Sequence, residues 1–409
     1  MNEVTTMTNV HVAGVGMTPF TKALDSSVPG LAADAVGQAL QDSGLAADRV
    51  GMVFFGNAMG GTMTGQEMIR AKAGLGRTDF AALGTPMVAV ENACASSSSA
   101  VHLASMAVAS GQVDIALAVG AEKMTAPDKT LAFKGLASAV DLERVAELEE
   151  ALYGGSPENA AGTDRSLFMD IYADMARRYT ERSGATPEDF ARVAVKAHRH
   201  GALNPHAQYR NLISVDEVLA SRRVSDPLTL LMCSPIGDGA AAVVLCSDAV
   251  ARDLEDTVRL RASVLVSGIR GPEVVEPAST RASRKAYEMA GIGPDDLDVV
   301  ELHDAAAPAE LIISEELGLC GSGEAPKMLA DGETTLGGRL PINTSGGLLS
   351  KGHPVGATGC AQIVELTDQL RGRAGDRQVE GAQIGLAENG GGYLGDDPAA
   401  VVVTILSRD

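Results

Sequence analysis

Apolar runs alternate with amphipathic stretches along the chain, and one helix–strand unit occurs twice. Residues 41–57 and 288–304 align at a constant offset of 247 positions. Each copy is typical of an amphipathic helix that ends at a glycine, followed by a turn with aspartate and an apolar strand. The pattern therefore predicts an internally duplicated fold of helices and strands.

Two later pairs of strands show where the copies differ in length. Residues 115–120 match 384–389 at an offset of 269, whereas 240–245 match 399–404 at an offset of only 159. About 110 extra residues therefore lie inside the first copy, since the offset falls by that amount. We expect an α/β protein with sheets covered on both faces. Its predicted parts are a first half (1–125 plus 226–256), an inserted loop domain (126–225) and a second half (257–409).

Composition supports a tightly layered interior and disfavours one class of partner. The chain has 46 Gly, no Trp, and only 6 Tyr and 7 Phe, so its core must come from small and aliphatic side chains. The net charge of −20 repels phosphate polymers. We therefore expect no nucleic-acid partner.

Targeting and cysteine patterns point to a reducing compartment. Residues Met1–Thr6 have neither the basic nor the apolar region of a secretory signal, and the chain lacks a membrane-like apolar run of about 18 residues. The five Cys form no Cys-x-x-Cys pair, which indicates neither a disulfide framework nor a structural metal site. We expect a cytoplasmic protein with no membrane contact and no bound metal.

Cys94 is a candidate nucleophile. A strand-like run ends at Asn92, and a helix rich in Ala and Ser begins at about Cys94. Backbone dipoles at a helix N-terminus favour a thiolate over a thiol. The alternative is that Cys94 is a small core residue, as free cysteines usually are.

His353 is a candidate base in a loop that is dense in glycine. The stretch from Asn343 to Gly359 has too many glycines for a helix or strand interior. Gly352 and Pro354 fix the backbone on either side of the imidazole. A histidine held in this way is suited to act as a general base, although a lone histidine is more often structural.

Two further strand ends carry polar groups. His303 and Asp304 end one apolar strand, and α/β folds place functional groups at such strand ends. The alternative is that the pair only caps the loop. Glu388 precedes the glycines 390–392, whose backbone N–H groups could form an oxyanion site. Glu388 itself is either an acid/base group or a solvated residue at a strand end.

The predicted insert carries a basic stretch over residues 177–200. Such a charge run is usually a solvated helix face. The alternative is a docking surface for an anionic cofactor tail.

These segments, in this order, resemble the thiolase superfamily over essentially the whole chain. Residues 343–359 are similar to the family's Asn-x-Ser-Gly-Gly…Gly-His-Pro-x-Gly-Ala-Thr-Gly signature. His303-Asp304 and the segments 196–208 and 235–242 are most similar to thiolases of the sterol-carrier-protein type. The resemblance implies the thiolase fold, in which two duplicated βα halves pack as αβαβα layers with an inserted loop domain.

The resemblance also implies roles for these residues. Cys94 would accept an acyl group from a coenzyme A thioester, and His353 would deprotonate the thiol. His303 would form an oxyanion site for an enolate, and the backbone amides of Cys94 and Gly390 would form a second one. The family binds coenzyme A as a substrate, with no other cofactor. The candidate contacts for its phosphorylated end are Lys196, His198, Arg199 and Ser345.

One departure from the family concerns its second catalytic cysteine. Most thiolases have this residue where the chain has Glu388, and the sterol-carrier-protein type has it where the chain has Ala305. Glu388 is the candidate substitute, provided that burial raises the pKa of its carboxyl. The remaining cysteines are interpreted as packing residues: Cys233, Cys246, Cys320 and Cys360.

Three functions follow as hypotheses. The first is a thiolase-like C-acyltransferase that makes or cleaves a carbon–carbon bond through S-acyl-Cys94, on a branched or aromatic 3-oxoacyl-CoA. The second is a decarboxylating condensing enzyme, because the set Cys94, His303 and His353 also resembles ketoacyl synthases. The third is a non-catalytic acyl-CoA-binding subunit. From the family we expect a homodimer or dimer of dimers, and a small zinc-binding OB-fold protein as a partner.

Overall fold

A computed structural model describes residues 8–154, 166–271 and 276–408. The interpretation of Met1–Thr6 lies outside the described residues, as does the part of the predicted insert between residues 155 and 165. Among the helices in these ranges, none combines the length and apolarity that a membrane span requires.

In the described ranges, nine strands form one mixed sheet in the order β3-β2-β4-β7-β1-β8-β11-β10-β9, and β5 and β6 form a separate hairpin. The strands are β1 (Val10–Met17), β2 (Met52–Gly56), β3 (Met87–Val90), β4 (Ile115–Glu122), β5 (Arg223–Ser225), β6 (Leu228–Thr229), β7 (Gly239–Ser247), β8 (Val258–Ser267), β9 (Val299–Glu301), β10 (Ile384–Gly391) and β11 (Ala400–Ser407).

The sheet consists of two related halves. The order β2-β4-β7-β1 in one half is repeated as β9-β10-β11-β8 in the other. In each half the first pair is parallel and the second is antiparallel. The halves meet where β1 pairs with β8, with Val10 opposite Leu260. The duplicated strand pattern in the sequence therefore corresponds to a duplicated topology.

The helices form layers around this sheet. α1 packs on the strands of the first half and α12 on those of the second, whereas α5 and α16 contact each other and strands of both halves. This arrangement is the predicted α/β layering. The helices are α1 (Val28–Ser43), α2 (Gly60–Thr64), α3 (Arg70–Gly74), α4 (Phe80–Leu83), α5 (Ser96–Ala109), α6 (Thr130–Ala137), α7 (Val145–Tyr153), α8 (Leu167–Ser183), α9 (Pro187–Ala202), α10 (Val215–Ala220), α11 (Asp248–Ala251), α12 (Ala278–Ala290), α13 (Ala307–Glu316), α14 (Ala325–Ala330), α15 (Gly347–Lys351) and α16 (Thr358–Leu370).

The repeated helix–strand unit has the same local geometry in both copies. α1 ends at Gly44 with φ of 66°, and α12 ends at Gly291 with φ of 69°. Both values lie in the left-handed region that glycine adopts without strain. A short 3₁₀ turn follows each glycine and leads into β2 or β9. The second strand is short, because its pairing with β10 covers only residues 299–301.

Helices between β4 and β7 cover one side of the second half. α9 begins with a capping box in which Thr186 and Asp189 satisfy each other's backbone N–H groups. Its apolar face packs against α13, α14 and α15, and α8 packs on α13. Residues of α8, of α13 and of the end of β10 line a cavity.

Candidate active site

Cys94 lies in a strained turn between β3 and α5. Ala93 has φ of 48°, which is unusual for a residue with a side chain, and residues Ala93–Ala95 form a 3₁₀ turn before α5 begins at Ser96. The turn is held from behind by β10, because a Cβ on Gly391 would lie 2.1 Å from the carbonyl oxygen of Asn92. Position 391 therefore requires glycine, because any side chain there would displace the turn that carries Cys94.

The thiol of Cys94 is protonated at rest. Burial raises its pKa to about 12, and the nearby Glu122 adds to this effect. The expectation that a helix N-terminus would favour the thiolate is therefore not met. α5 begins two residues after Cys94, and desolvation of the sulfur outweighs the backbone dipoles.

The imidazole of His353 faces this thiol. Its Nε2 lies 3.2 Å from Sγ of Cys94, and its Nδ1 lies 2.8 Å from the hydroxyl oxygen of Thr358. The Thr358 hydroxyl donates to the carbonyl of Pro354, so it accepts the hydrogen of Nδ1. Nε2 is then left with a lone pair that faces the thiol. Burial, with help from His303, holds the pKa of His353 well below its usual range, so the ring is neutral.

Glu122 anchors the loop that carries His353. Its carboxyl, at the end of β4, accepts backbone N–H groups from Ala58, Met59 and Gly356. Burial nevertheless raises the pKa of Glu122 to about 7. The carboxyl thus ties the glycine-rich loop to the end of β4.

His303 completes a group of three. Its ring meets that of His353 edge to face, with 5.1 Å between the centroids, and its buried Nε2 has no hydrogen-bond partner. One ligand atom from each of Cys94, His303 and His353 lies within 4.8 Å of the others. In the part of the chain that the structure describes, no other set of three or more such side chains could share a metal ion. Burial lowers the pKa of His303 to about 4.

The His303-Asp304 pair is more than a loop cap, because both side chains are buried against the glycine-rich loop. Asp304 accepts the N–H of Leu348, and Asn343 accepts the N–H of Leu302 through its side chain. Burial raises the pKa of Asp304 well above its usual range, and the charge of Glu310 adds to the shift. Asp304 therefore holds the backbone around His303 in place.

Glu388 is buried beside these histidines and is not a solvated strand end. It is 1% exposed, and its Oε2 accepts the backbone N–H of His303 at 3.1 Å. Burial raises the pKa of its carboxyl to about 8. Gly390 lines the same space, and a Cβ there would lie 3.7 Å from Glu388 and 3.8 Å from His303. Ala305, the other position where the family has a cysteine, is also in this wall.

A cavity of about 810 Å³ opens over these groups. Cys94, His303, His353, Glu388 and Gly390 line its inner end. Its remaining wall is mainly apolar, and it includes residues of α6 and α8 in the predicted insert and of α13 in the second half. These apolar residues include Phe133, Leu136, Phe168, Ile171, Tyr172, Met175, Leu230, Leu231, Ile312 and Ile313.

The candidate coenzyme A contacts do not lie together. His198 lines the cavity and stacks on Tyr209, whereas Arg199 is exposed on α9 and does not line it. Lys196 is buried in an ion pair with Glu310 at 2.6 Å. Ser345 is also buried, where its hydroxyl donates to Glu301 at 2.6 Å. We therefore withdraw Lys196 and Ser345 as contacts, because both are committed to groups inside the protein.

Sequence reasoning missed several residues of the cavity. The basic side chains of Lys22 and Arg222 line it and were not predicted, whereas Arg178, which also lines it, belongs to the predicted basic stretch 177–200. Cys233, interpreted as a packing residue, both packs on the cluster around α9 and lines the cavity. The basic charge of the insert is the sequence feature that could indicate Arg178 and Arg222. It does not distinguish cations that line the cavity from basic residues that face solvent elsewhere.

Two family descriptions match the chain, and together they span nearly all of it. The description "Thiolase, N-terminal domain" matches residues 10–249, and "Thiolase C-terminal domain-like" matches residues 268–408. Both matches agree with the two halves of the sheet.

Similar proteins agree with this assignment. The chain is 40% identical to an acetyl-CoA acetyltransferase of Methanothermobacter thermautotrophicus, over 98% of this chain and all of that protein. It is 37% identical to sterol carrier protein 2 of Bos taurus, over 97% of this chain and 72% of that protein. It is also 37% identical to benzoylsuccinyl-CoA thiolase subunit BbsB of Thauera aromatica, over 91% of each.

Solved structures have the same fold. The Ltp2-ChsH2(DUF35) aldolase superposes with a TM-score of 0.79 and 28% identity, over 98% of each chain. Human mitochondrial 3-ketoacyl-CoA thiolase in complex with CoA superposes with a TM-score of 0.71 and 17% identity, over 99% of each chain. The matched domains and these relatives show that the chain belongs to the thiolase superfamily and is a thiolase-like acyl-CoA acyltransferase.

Proposed function

We propose that the protein makes or cleaves a carbon–carbon bond of a 3-oxoacyl-CoA through an acyl group held on Cys94. The observation that carries the proposal is the 3.2 Å contact between Sγ of Cys94 and Nε2 of His353, at the inner end of an apolar cavity. A neutral thiol and a neutral imidazole with its lone pair toward sulfur are the forms that general-base catalysis needs.

In the cleavage direction, Sγ attacks the 3-oxo carbonyl while Nε2 of His353 takes the thiol proton. The oxyanion that forms would be stabilised by the backbone N–H groups of Cys94 and Gly390. The carbon–carbon bond then breaks, its electron pair forms a thioester enolate, and the acyl group stays on sulfur. His303 supports this step, because its unpartnered Nε2 can donate to the enolate oxygen when it carries the ring hydrogen.

Glu388 would supply the proton that the enolate carbon needs. Its raised pKa, about 8, keeps the carboxyl mostly protonated at neutral pH, and it is buried next to His303. The carboxylate that remains can then accept the thiol proton of coenzyme A, whose sulfur attacks the acyl-Cys94 thioester. The released Cys94 thiolate takes back the proton held on His353, so both residues return to their neutral forms. The reverse sequence makes the bond, with the Glu388 carboxylate as the α-carbon base.

The size and the lining of the cavity fit a bulky acyl group. A volume of about 810 Å³ is within the range of pockets that enclose drug-sized ligands, and its lining includes several aromatic and branched side chains. We therefore assign a branched or aromatic 3-oxoacyl-CoA as the substrate class. The similarity to a subunit of a benzoylsuccinyl-CoA thiolase supports this choice.

A partner subunit is part of the proposal. The aldolase with a similar structure is named as a pair, Ltp2-ChsH2(DUF35), and the Thauera relative is named a subunit. We propose that this chain also works with a small zinc-binding OB-fold protein, as a homodimer or dimer of dimers. Co-expression with such a protein from the same genome, followed by size-exclusion chromatography with light scattering, would test both statements. A stable, active enzyme whose rate does not change on adding it would contradict the need for a partner.

The substrate class is tested by thiolysis. The enzyme is incubated with coenzyme A and a panel of 3-oxoacyl-CoAs with straight, branched or aromatic chains, and the shorter acyl-CoA is measured by liquid chromatography and mass spectrometry. We expect kcat/KM at least about tenfold higher for the branched or aromatic compounds than for acetoacetyl-CoA. A preference for acetoacetyl-CoA would contradict the substrate class. Release of carbon dioxide from malonyl-CoA would instead support a decarboxylating condensing enzyme.

A further inference from the structure

Three side chains that can ligate a metal converge at the inner end of the cavity. The sulfur of Cys94 and one ring nitrogen each of His303 and His353 lie within 4.8 Å of one another. Thiolate and imidazole are ligands that Zn²⁺ prefers in proteins. Elsewhere in residues 8–154, 166–271 and 276–408, no group of three or more histidine, cysteine or acidic side chains has such a geometry. The ligands come from separate segments of the chain, so no short sequence motif indicates this site.

The spacing of two of these ligands already fits a bound ion. Tetrahedral Zn²⁺, with bonds of about 2.3 Å to sulfur and about 2.0 Å to nitrogen, keeps a sulfur and a nitrogen ligand about 3.5 Å apart. Sγ of Cys94 and Nε2 of His353 are 3.2 Å apart. His303 needs to approach by no more than about 1.5 Å, which a small rotation of its side chain can supply.

The surroundings of both histidines favour metal binding. Nδ1 of His353 donates its hydrogen to the hydroxyl oxygen of Thr358 at 2.8 Å, as the outer nitrogen of a zinc-bound histidine usually does, and Nε2 keeps its lone pair. Nε2 of His303 is buried without a hydrogen-bond partner, and the residue is 6% exposed. When the ring hydrogen of His303 lies on Nδ1, an ion that accepts the lone pair of Nε2 satisfies this buried atom.

We propose that Cys94, His303 and His353 bind one Zn²⁺ ion, which holds the enzyme in a reversible inactive state. The Cys94 thiol loses its proton to solvent when the Zn–S bond forms, and each histidine contributes a nitrogen lone pair. The fourth position faces the cavity and takes a water molecule. Because the ion occupies the sulfur and both imidazoles, Cys94 cannot be acylated until the ion leaves. The ion is therefore an inhibitor and not a resident cofactor, and its binding does not depend on which substrate the enzyme uses.

The site is tested with Co²⁺ as a spectroscopic probe, because Co²⁺ accepts the ligand sets of Zn²⁺ and binds more weakly. We expect one equivalent of Co²⁺ to give the strong visible bands of a four-coordinate ion and a thiolate-to-metal charge-transfer band in the near ultraviolet. One equivalent of Zn²⁺ should abolish both, and Cys94→Ser should lack the charge-transfer band. His303→Asn and His353→Asn should each weaken Zn²⁺ binding at least about tenfold, measured by competition with a chelating dye.

Two matched variants separate this site from other ligands in the cavity. Cys233 and His198 are the remaining thiol and imidazole among the described residues of its lining, so Cys233→Ser and His198→Asn should bind both metals like the wild type. Zn²⁺ should also slow alkylation of Cys94 by iodoacetamide at least about tenfold, and EDTA should restore it. Circular dichroism checks the fold of each variant.

Three results would overturn the three-ligand site. They are a wild type without metal-dependent absorption, a charge-transfer band that persists in Cys94→Ser or disappears in Cys233→Ser, and wild-type affinity for Zn²⁺ in His303→Asn. Each is read from metal binding alone, so it is distinct from a failure of acyl transfer to Cys94.

Discussion

Sγ of Cys94 lies 3.2 Å from Nε2 of His353, although the two residues are 259 positions apart. Each residue precedes one of two helices, α5 and α16, that contact each other. The starts of these helices are in close contact, because a Cβ on Gly359 would lie 2.4 Å from the backbone nitrogen of Ser98. Close packing of the two halves therefore sets the distance between the thiol and the imidazole.

The hydroxyl of Thr358 sets the tautomer of His353, so Thr358→Val should slow transfer of an acyl group to Cys94. Valine has a similar shape but cannot accept the hydrogen of Nδ1. We expect a decrease of about 10–100-fold in the acylation rate, measured by rapid quench and mass spectrometry, with little change in thermal unfolding. Thr358→Ser, which keeps the hydroxyl, should retain most of the rate. An unchanged rate in Thr358→Val would contradict this role.

Cys94 should react with iodoacetamide at a rate that rises steadily with pH. Because burial raises its pKa to about 12, the thiolate fraction increases across the whole range from pH 6 to pH 10. The measurement is the rate of alkylation of the Cys94 peptide, followed by mass spectrometry. A plateau that begins near pH 6–7 would instead show a resting thiolate–imidazolium pair.

Glu388→Gln should block carbon–carbon bond chemistry and spare acylation of Cys94. The amide keeps the size of the side chain but cannot exchange the α-proton. We expect thiolysis to fall by at least about 100-fold, while an acyl-CoA still adds its acyl group to the protein. Cys233→Ser is the control, because Cys233 is the other thiol in the cavity wall. Normal turnover in Glu388→Gln, with loss in Cys233→Ser, would assign the proton transfer to Cys233.

Glu388→Cys would place a thiol where most thiolases have their second cysteine. We expect this variant to recover part of the activity that Glu388→Gln loses, because the thiol can also carry the α-proton. Thiolysis at or below the level of Glu388→Gln would show that the cavity around residue 388 does not support a thiol in this role.

Arg222→Ala should raise KM for an acyl-CoA by about three- to tenfold and leave kcat nearly unchanged. Arg222 is an exposed cation that lines the cavity, where it can attract the phosphates of coenzyme A. Arg199→Ala removes an exposed cation of the same type away from the cavity, and it should have no effect. Equal effects of the two substitutions in steady-state kinetics would contradict this location of the phosphate contacts.

Much of the fold and part of the site could be predicted from the sequence, because both depend on local patterns. Gly44 and Gly291 mark helix ends by their own backbone geometry, and the glycines around His353 indicate a constrained loop. Lys196 looked like a surface cation on a basic helix, yet it pairs with Glu310 in the interior. Only the packing of α9 on α13 brings these two residues together.

Residues that act through distant neighbours could not be found in this way. Glu122 ends β4 with an ordinary local sequence, and only the folded chain brings its carboxyl to the backbone N–H of Gly356. Likewise, the resting state of Cys94 depends on how deeply the sulfur is buried, which the helix start alone does not reveal.

The most direct test of the account is whether an acyl group becomes attached to Cys94. The wild type, Cys94→Ser and Cys233→Ser are each incubated with the same branched or aromatic acyl-CoA and are analysed by intact-protein and peptide mass spectrometry. We predict that the wild type and Cys233→Ser gain the mass of one acyl group on the Cys94 peptide, removable by hydroxylamine, and that Cys94→Ser gains none. Turnover of a 3-oxoacyl-CoA by Cys94→Ser at the wild-type rate, or an acyl group found on Cys233, would contradict the central claim.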